Sequence, residues 1–152
     1  MTHSAGILLY RRAPELEVLL IHPGGPYWMR KDRGAWQIPK GLIEEEEDLE
    51  AAARREVGEE LGVTLEGDLR PLGEIRQSGG KLVTAFVAEH DLDPELIKSN
   101  LFEMEWPPKS GKIASFPEVG KAKWMGLAEA REMILPSQLP LIDRLAAMVN
   151  AG

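Results

Sequence analysis

The sequence predicts an α/β fold built in layers. Three observations carry this. Apolar runs of strand length open the chain at Ser4–Tyr10 and Glu17–His22. A capped amphipathic helix, about Asp48 to Leu61, is set early among the strands, and two further amphipathic segments, Leu127–Ile134 and Gln138–Val149, close it. Strands interleaved with helices favour α/β layers over a helical bundle or a β-sandwich. A length of 152 residues, 43% hydrophobic and 28% charged, fits one domain over 1–152 with a sizeable core.

Each element has its own signal. The first two runs read as strands joined by a polar turn around Pro14. Pro23-Gly24-Gly25-Pro26 breaks the chain into a loop that runs to Gly34, and Trp36–Ile38 is a short strand stopped by Pro39. Asp48 suits a helix N-cap, Glu50 sits at the positive end of the dipole, and Gly62 follows Leu61 as a stop. Leu69–Ile75 and Lys81–Ala88 read as strands around the turn Ser78-Gly79-Gly80. Asp91–Glu118, with four prolines, reads as irregular, and so long a stretch in a small domain is often functional. Ala122–Met125 reads as a last strand before the two closing helices.

Composition removes several function classes. There is no cysteine, which excludes disulfides, thiolate metal sites and cysteine nucleophiles. The longest apolar runs, Gly6–Tyr10 and Val18–Ile21, are far too short to span a bilayer, and the opening Met1-Thr2-His3-Ser4 lacks a signal-peptide pattern. A cytoplasmic protein without a membrane partner is the expectation. His3, His22 and His90 show no metal-binding spacing and receive no role.

The charge is local. Glu44–Glu60 holds nine carboxylates against Arg54 and Arg55, a balance of −7 that equals the net charge of the whole chain. Outside that segment 16 acidic residues face 16 basic ones. Such a face disfavours a nucleic-acid backbone and favours a cation. On a helical wheel Leu49, Ala52, Ala53, Val57 and Leu61 make one apolar stripe. Glu56 and Glu60 fall inside it and Glu59 at its edge, whereas a solvated acidic face would lie opposite. Carboxylates at a packed boundary are costly unless compensated, and a hard divalent cation such as Mg²⁺ is the simplest compensation. A surface helix laced with ion pairs is the competing reading of the wheel.

Gly41, five residues, Glu47, seven residues, then Arg55-Glu56-Val57-Gly58-Glu59-Glu60-Leu61-Gly62-Val63 resembles the Nudix box at every fixed position. The box spans Gly41–Val63, and Trp36-Gln37-Ile38-Pro39-Lys40-Gly41 resembles its usual entry. The resemblance implies a Nudix fold, an α/β/α sandwich with a mixed β-sheet and the box helix Asp48–Leu61. It also implies Mg²⁺- or Mn²⁺-dependent hydrolysis of a nucleoside diphosphate linked to a further group X, by water attack on one phosphorus. Glu56, Glu59 and Glu60 would carry the metals, with the Gly41 carbonyl as a further ligand. Glu56 or Glu59 would be the general base, and Arg55 would pair with Glu47. Many relatives add a late glutamate before the last strand. Glu118 is the best positional match, with Glu103 and Glu105 as rivals.

Substrate features are sparser. Trp36-x-x-Pro39-Lys40-Gly41 resembles the dinucleoside polyphosphate and diphosphoinositol branches, and Lys40 would reach a phosphate oxygen. Arg30, with Lys31 and Arg33, would neutralise a longer phosphate chain, as would Lys109 and Lys112. Tyr27, Trp28 and Trp36 are candidates to stack on a base, with Trp106 weaker and Trp124 read as core. The expected partner is a small-molecule nucleotide, a dinucleoside polyphosphate or nucleoside triphosphate, and a homodimer is allowed. The alternatives are an ADP-ribose or diphosphoinositol polyphosphate hydrolase, or a nucleotide-sensing module without turnover. A calcium-binding acidic domain ranks last, because no calcium-loop pattern exists.

Overall fold

The computed structural model describes residues 2–12 and 14–151; Met1, Ala13 and Gly152, which the single-domain expectation also spans, lie outside the described residues. In chain order the elements are β1 (His3–Arg12), β2 (Leu16–Pro23), β3 (Lys40–Leu42), α1 (Leu49–Leu61), β4 (Arg70–Gln77), β5 (Lys81–Glu89), β6 (Leu101–Glu105), β7 (Ile113–Pro117), β8 (Val119–Gly126), α2 (Leu127–Met133) and α3 (Leu139–Ala151).

The architecture follows from β1, which is buried without a break from Ala5 to Tyr10. Alternate side chains leave a strand on opposite faces, so an unbroken apolar run demands a cover on both. Ala5, Ile7 and Leu9 pack with Ala52, Ala53, Val57 and Leu61 of α1. Leu8 and Tyr10 turn the other way, into a second core with Ala130 of α2 and Leu141, Ile142 and Leu145 of α3. The result is an α/β/α sandwich around a mixed sheet of order β4-β5-β1-β2-β8, in which β1 runs parallel to β5 and antiparallel to β2.

One edge of β1 is shared. Tyr10–Arg12 pair with β2, while Ser4–Gly6 pair with β3. The strands β1 and β2 therefore part like a fork, and the segment from Trp36 to Leu42 fills it. Ile21 and Gln37 exchange two backbone hydrogen bonds of 2.8 Å, and the Ile7 N–H donates to the Pro39 carbonyl at 3.2 Å. The expected strand at Trp36–Ile38 is thereby corrected. Trp36 and Gln37 make only isolated bridges, to Ile134 and Ile21, and the strand proper lies beyond the proline. Pro39 lacks an N–H, yet its carbonyl still joins the ladder, so it punctuates the segment without ending it.

A second expectation is also corrected. Asp91–Glu118 is not wholly irregular, since β6 and β7 form an antiparallel hairpin from Leu101↔Pro117 to Glu105↔Ile113. Both strands alternate exposed with half-buried residues and bury none fully, so the apolar pattern that marks a strand is faint. Their loop is shaped by the Glu105 carboxylate, which accepts from the Lys109 and Gly111 N–H groups at 2.8 and 3.2 Å.

The box helix has the expected ends. Asp48 accepts from the Ala51 N–H at 3.1 Å. Gly62, at φ 72°, turns the chain out of the helix and donates its N–H to the Gly58 carbonyl at 2.8 Å. No helix among the described residues is long and apolar enough to cross a membrane.

Gly62 combines a left-handed φ with a tight neighbour, for a Cβ there would lie 2.8 Å from the Lys98 carbonyl oxygen. Gly62→Ala is expected to lower stability by about 1–2 kcal/mol, read as a lower urea midpoint at unchanged m. An unshifted midpoint would show that the cap tolerates a side chain.

Candidate active site

Helix α1 delivers its carboxylates to the fork because their spacing matches the helical repeat. Glu56 and Glu60 are each 9% exposed, on the face that packs toward β1 and β3. Glu59 stands at the rim with its side chain 40% exposed. Lys40 and Gly41 of β3, the three glutamates and Glu118 line one cavity of about 460 Å³, with Trp28 and Phe102 on its walls. Gly41 lies close against the Glu56 carboxylate, which would have to move to make room for a Cβ there. Glu118 lies between β7 and β8. Its N–H donates to Asn100 at 2.9 Å and its carbonyl accepts from Gly24 at 3.0 Å, so its backbone is fixed from both sides.

Arg55 organises this region. Its Nε and Nη2 grip both oxygens of Glu47 at 2.8 Å, a two-pronged charge-assisted pair. Nη2 also donates to the Leu42 carbonyl at 3.0 Å, and Nη1 to Glu56 at 2.8 Å and Glu59 at 3.3 Å. The loop between β3 and α1 is thus held to the helix by one side chain. The hydrogen bonds from Arg55 and from the Glu44 N–H push the Glu47 carboxyl down to about 2, and Glu47 in turn raises the Arg55 guanidinium.

The inner carboxylates are pushed the other way. Burial, then the charges of Glu56 and Glu118, raise Glu60 to about 8, with Lys40 pulling against them. Burial raises Glu56 against the opposing pull of Arg55, and burial with Glu59 raises Glu118. Burial lowers the Lys40 ammonium in spite of Glu60 and Glu56.

Glu60 Oε2 is buried with no hydrogen-bond partner. An orphaned acceptor among raised carboxylates suits a hard, oxygen-seeking divalent ion, and the donors here are all oxygen. Glu56, Glu59, Glu60, Glu118 and the Gly41 carbonyl would hold it. Among the described residues no three acidic or histidine side chains are gathered as a ready cage. Arg55 engages two of these carboxylates.

The other candidates divide. Trp28 and Lys40 line the cavity. Trp36 does not, which corrects its place among the stacking residues. It is 4% exposed in the α2/α3 core, with its indole N–H on Asp32 at 2.8 Å. Tyr27 is 67% exposed and meets Trp106 edge to face, outside the cavity lining, and Arg30 is exposed in the same loop. Glu103 is exposed, and Glu105 is committed to its loop. Phe102 was not singled out in the sequence. Its signal was the faint alternation Phe102, Met104 within the 101–105 run.

Two opposite pH dependences follow for the protein in EDTA. Glu47 titrates near 2 folded against an ordinary 4.5, so its stabilisation is present above 4.5 and lost as pH falls toward 2. Glu47→Gln is therefore expected to lower Tm at pH 7, with the gap closing in acid. Glu60 titrates near 8 folded against 4.5, so it costs stability increasingly as pH rises from 4.5 to 8. Glu60→Gln is expected to raise Tm at pH 8 by several degrees and to change it little at pH 4. Equal Tm values at pH 8 would show that Glu60 bears no buried charge.

A family model described as NUDIX domain matches residues 2–145. Over 56 residues, 34% of the chain, it is 52% identical to an RNA pyrophosphohydrolase of Caulobacter vibrioides, covering 33% of that protein. Over 130 residues, 84% of the chain, it is 33% identical to Nudix hydrolase 8 of Arabidopsis thaliana, covering 31% of that protein. Each match thus spans about a third of the curated relative's own length. Among solved structures, a C. elegans Ap4A hydrolase in a binary complex superposes with a TM-score of 0.70 at 22% identity, covering 98% of this chain and 99% of that one. At that identity the likeness is one of fold. With the family model spanning nearly the whole chain and the box residues gathered at one cavity, the chain belongs to the Nudix family.

Proposed function

We propose that this chain is a divalent-metal-dependent pyrophosphohydrolase. It would cleave a phosphoanhydride bond in a nucleoside diphosphate linked to a further group, with dinucleoside polyphosphates and nucleoside triphosphates as the first candidates. The observation that carries the reading is the convergence of Glu56, Glu59, Glu60 and Glu118 with Lys40 on one cavity, around an unpartnered buried carboxylate oxygen. The pyrophosphohydrolase relative supports the same chemistry. Its RNA is not carried over, because the net charge of −7 resides in the segment that borders the cavity.

A bound Mg²⁺ or Mn²⁺ would supply charge neutralisation at the phosphate oxygens and acidify the attacking water. Glu56, braced by Arg55, and the equally buried Glu60 would hold the cation. Glu59 is the more exposed carboxylate and is gripped only at 3.3–3.4 Å by Arg55, so it is free to accept the water's proton. Lys40 donates to a phosphate oxygen and offsets charge that builds in the transition state. Arg55 and Glu47 touch no substrate in this scheme and act by positioning.

Glu59→Gln is expected to lower kcat by about 10²- to 10⁴-fold with an unchanged circular dichroism spectrum. Near-normal turnover would remove Glu59 from the chemistry. Lys40→Ala is expected to lower kcat/KM by about 10²-fold on every substrate cleaved, and an unchanged value would reduce Lys40 to a surface residue. Product analysis with Mg²⁺ over nucleoside triphosphates, diadenosine tetraphosphate, ADP-ribose and a diphosphoinositol polyphosphate identifies the bond cut. Binding of one of these without cleavage would favour the sensing module.

A further inference from the structure

Glu59 sits on the box helix and Glu118 follows the β6–β7 hairpin, yet one corner of the chain ties the two together. The last carbonyls of an α-helix have no partner within it. Two of those in α1 are taken up by the segment just before β6. The Glu59 carbonyl accepts from the Asn100 N–H at 2.9 Å, and the Leu61 carbonyl from the Lys98 N–H at 3.2 Å. Gly62 permits this approach, since a Cβ there would lie 2.8 Å from the Lys98 carbonyl oxygen. The Asn100 carbonyl then accepts from the Glu118 N–H at 2.9 Å. A single residue, Asn100, thus stands between the backbone of Glu59 and that of Glu118.

Ser99 completes the corner. Its hydroxyl oxygen accepts from the Val119 N–H at 3.2 Å. The hydroxyl proton has the Asn100 carbonyl at 3.1 Å, nearer than the Val119 carbonyl at 3.5 Å. The Asn100 carbonyl also holds the Glu118 N–H, so both of its lone pairs are used. The N–H groups of Glu118 and Val119 are therefore held by adjacent residues, one through a side chain and one through the backbone. A third contact comes from Gly24, whose N–H donates to the Glu118 carbonyl at 3.0 Å and whose missing Cβ would overlap the Pro117 carbonyl. The backbone of Glu118 is pinned at both polar groups, and its side chain is left to reach the cavity. Burial, then the charge of Glu59, raises the Glu118 carboxyl, so the two carboxylates feel one another.

We propose that Ser99 is a positioning residue for the late carboxylate: its hydroxyl anchors the Glu118–Val119 peptide to the end of the box helix, so that Glu118 and Glu59 can serve one cation. The cation half of this inference rests on the function proposed above; the anchoring half rests on the hydrogen bonds alone. Ser99 is not among the residues that line the cavity, so it acts through Glu118. A carboxylate on a loose loop gives up conformational freedom when it binds a metal. One on an anchored peptide has given up part of it beforehand, which favours binding.

Mn²⁺ titration of the full chain, followed by electron paramagnetic resonance, tests this in a cycle of Ser99→Ala, Glu118→Gln and the double variant. Ser99→Ala is expected to weaken Mn²⁺ binding by about 10-fold, the low end for a residue behind a metal ligand. In the Glu118→Gln background the same change should alter Kd by less than about twofold, because the carboxylate that Ser99 positions is gone. Ser99→Thr keeps the hydroxyl and should bind Mn²⁺ like the unsubstituted chain. An unchanged Kd in Ser99→Ala, or equal weakening in both backgrounds, would overturn the proposal. Failure of the metal reading shows separately, as no Mn²⁺ binding by the unsubstituted chain. Amide exchange in EDTA then decides the anchoring by itself. Ser99→Ala should speed exchange at Val119 by about 10-fold, the equivalent of one hydrogen bond, with the amides of α3 unchanged. An unchanged rate at Val119, or equal acceleration in α3, would overturn it.

Discussion

One guanidinium holds this site together. Arg55 sits where the end of β3, the loop before the box helix and the inner carboxylates meet, and it bonds to all three. The pair with Glu47 is a planar two-pronged contact, which a lysine could not reproduce. Because Nη1 is shared between Glu56 and Glu59, the same side chain that fastens the loop also sets where two cavity carboxylates point. Loop geometry and site geometry are therefore one problem with one solution. A change in the loop would be felt at the carboxylates without any of them being altered.

The site is also a standing cost. Glu60 and Glu56 lie in the same helix face as Ala52, Ala53 and Val57, which are buried in the α1 core. Apolar residues at 56 and 60 would extend that core. Burial, then the charges of Glu56 and Glu118, raise the proton affinity of Glu60, and one of its oxygens is left unsatisfied. Two cores, one on each face of β1, supply the stability against which such a face can be kept. The local rule of burying apolar groups is broken where the chemistry sits, as expected of a functional site.

What could be read in advance depended on period. The box helix was legible because Leu49, Ala52, Ala53, Val57 and Leu61 recur at the helical repeat, and Glu56 and Glu60 stood out by falling in that repeat. The first two strands were legible because both faces are covered, which leaves continuous apolar runs. The β6–β7 hairpin was not, because it has no core beneath it and its alternation is only exposed against half-buried. Trp36 and Trp28 illustrate a different limit. Both are tryptophans near the box, and nothing local separates them. Their difference is set by contacts far along the chain, since the Trp36 backbone donates to the Met133 carbonyl and accepts from the Leu135 N–H nearly a hundred residues later. Phe102 was hidden for the same reason, as its place on the cavity depends on Gly25, 77 residues earlier.

The forked edge of β1 has a consequence for motion. The strand at the centre of the sheet spends half of one edge on β3, so the backbone that carries Lys40 and Gly41 is stitched into the best-buried strand of the protein. Amide groups on such a strand open only in large, rare unfolding events. The floor of the cavity therefore shares the opening energy of the sheet. The walls do not, for Trp28 sits on a loop and Phe102 on a hairpin with little core. Amide exchange would divide this one pocket into a slow half that keeps its geometry and a fast half that can refit itself to what it binds.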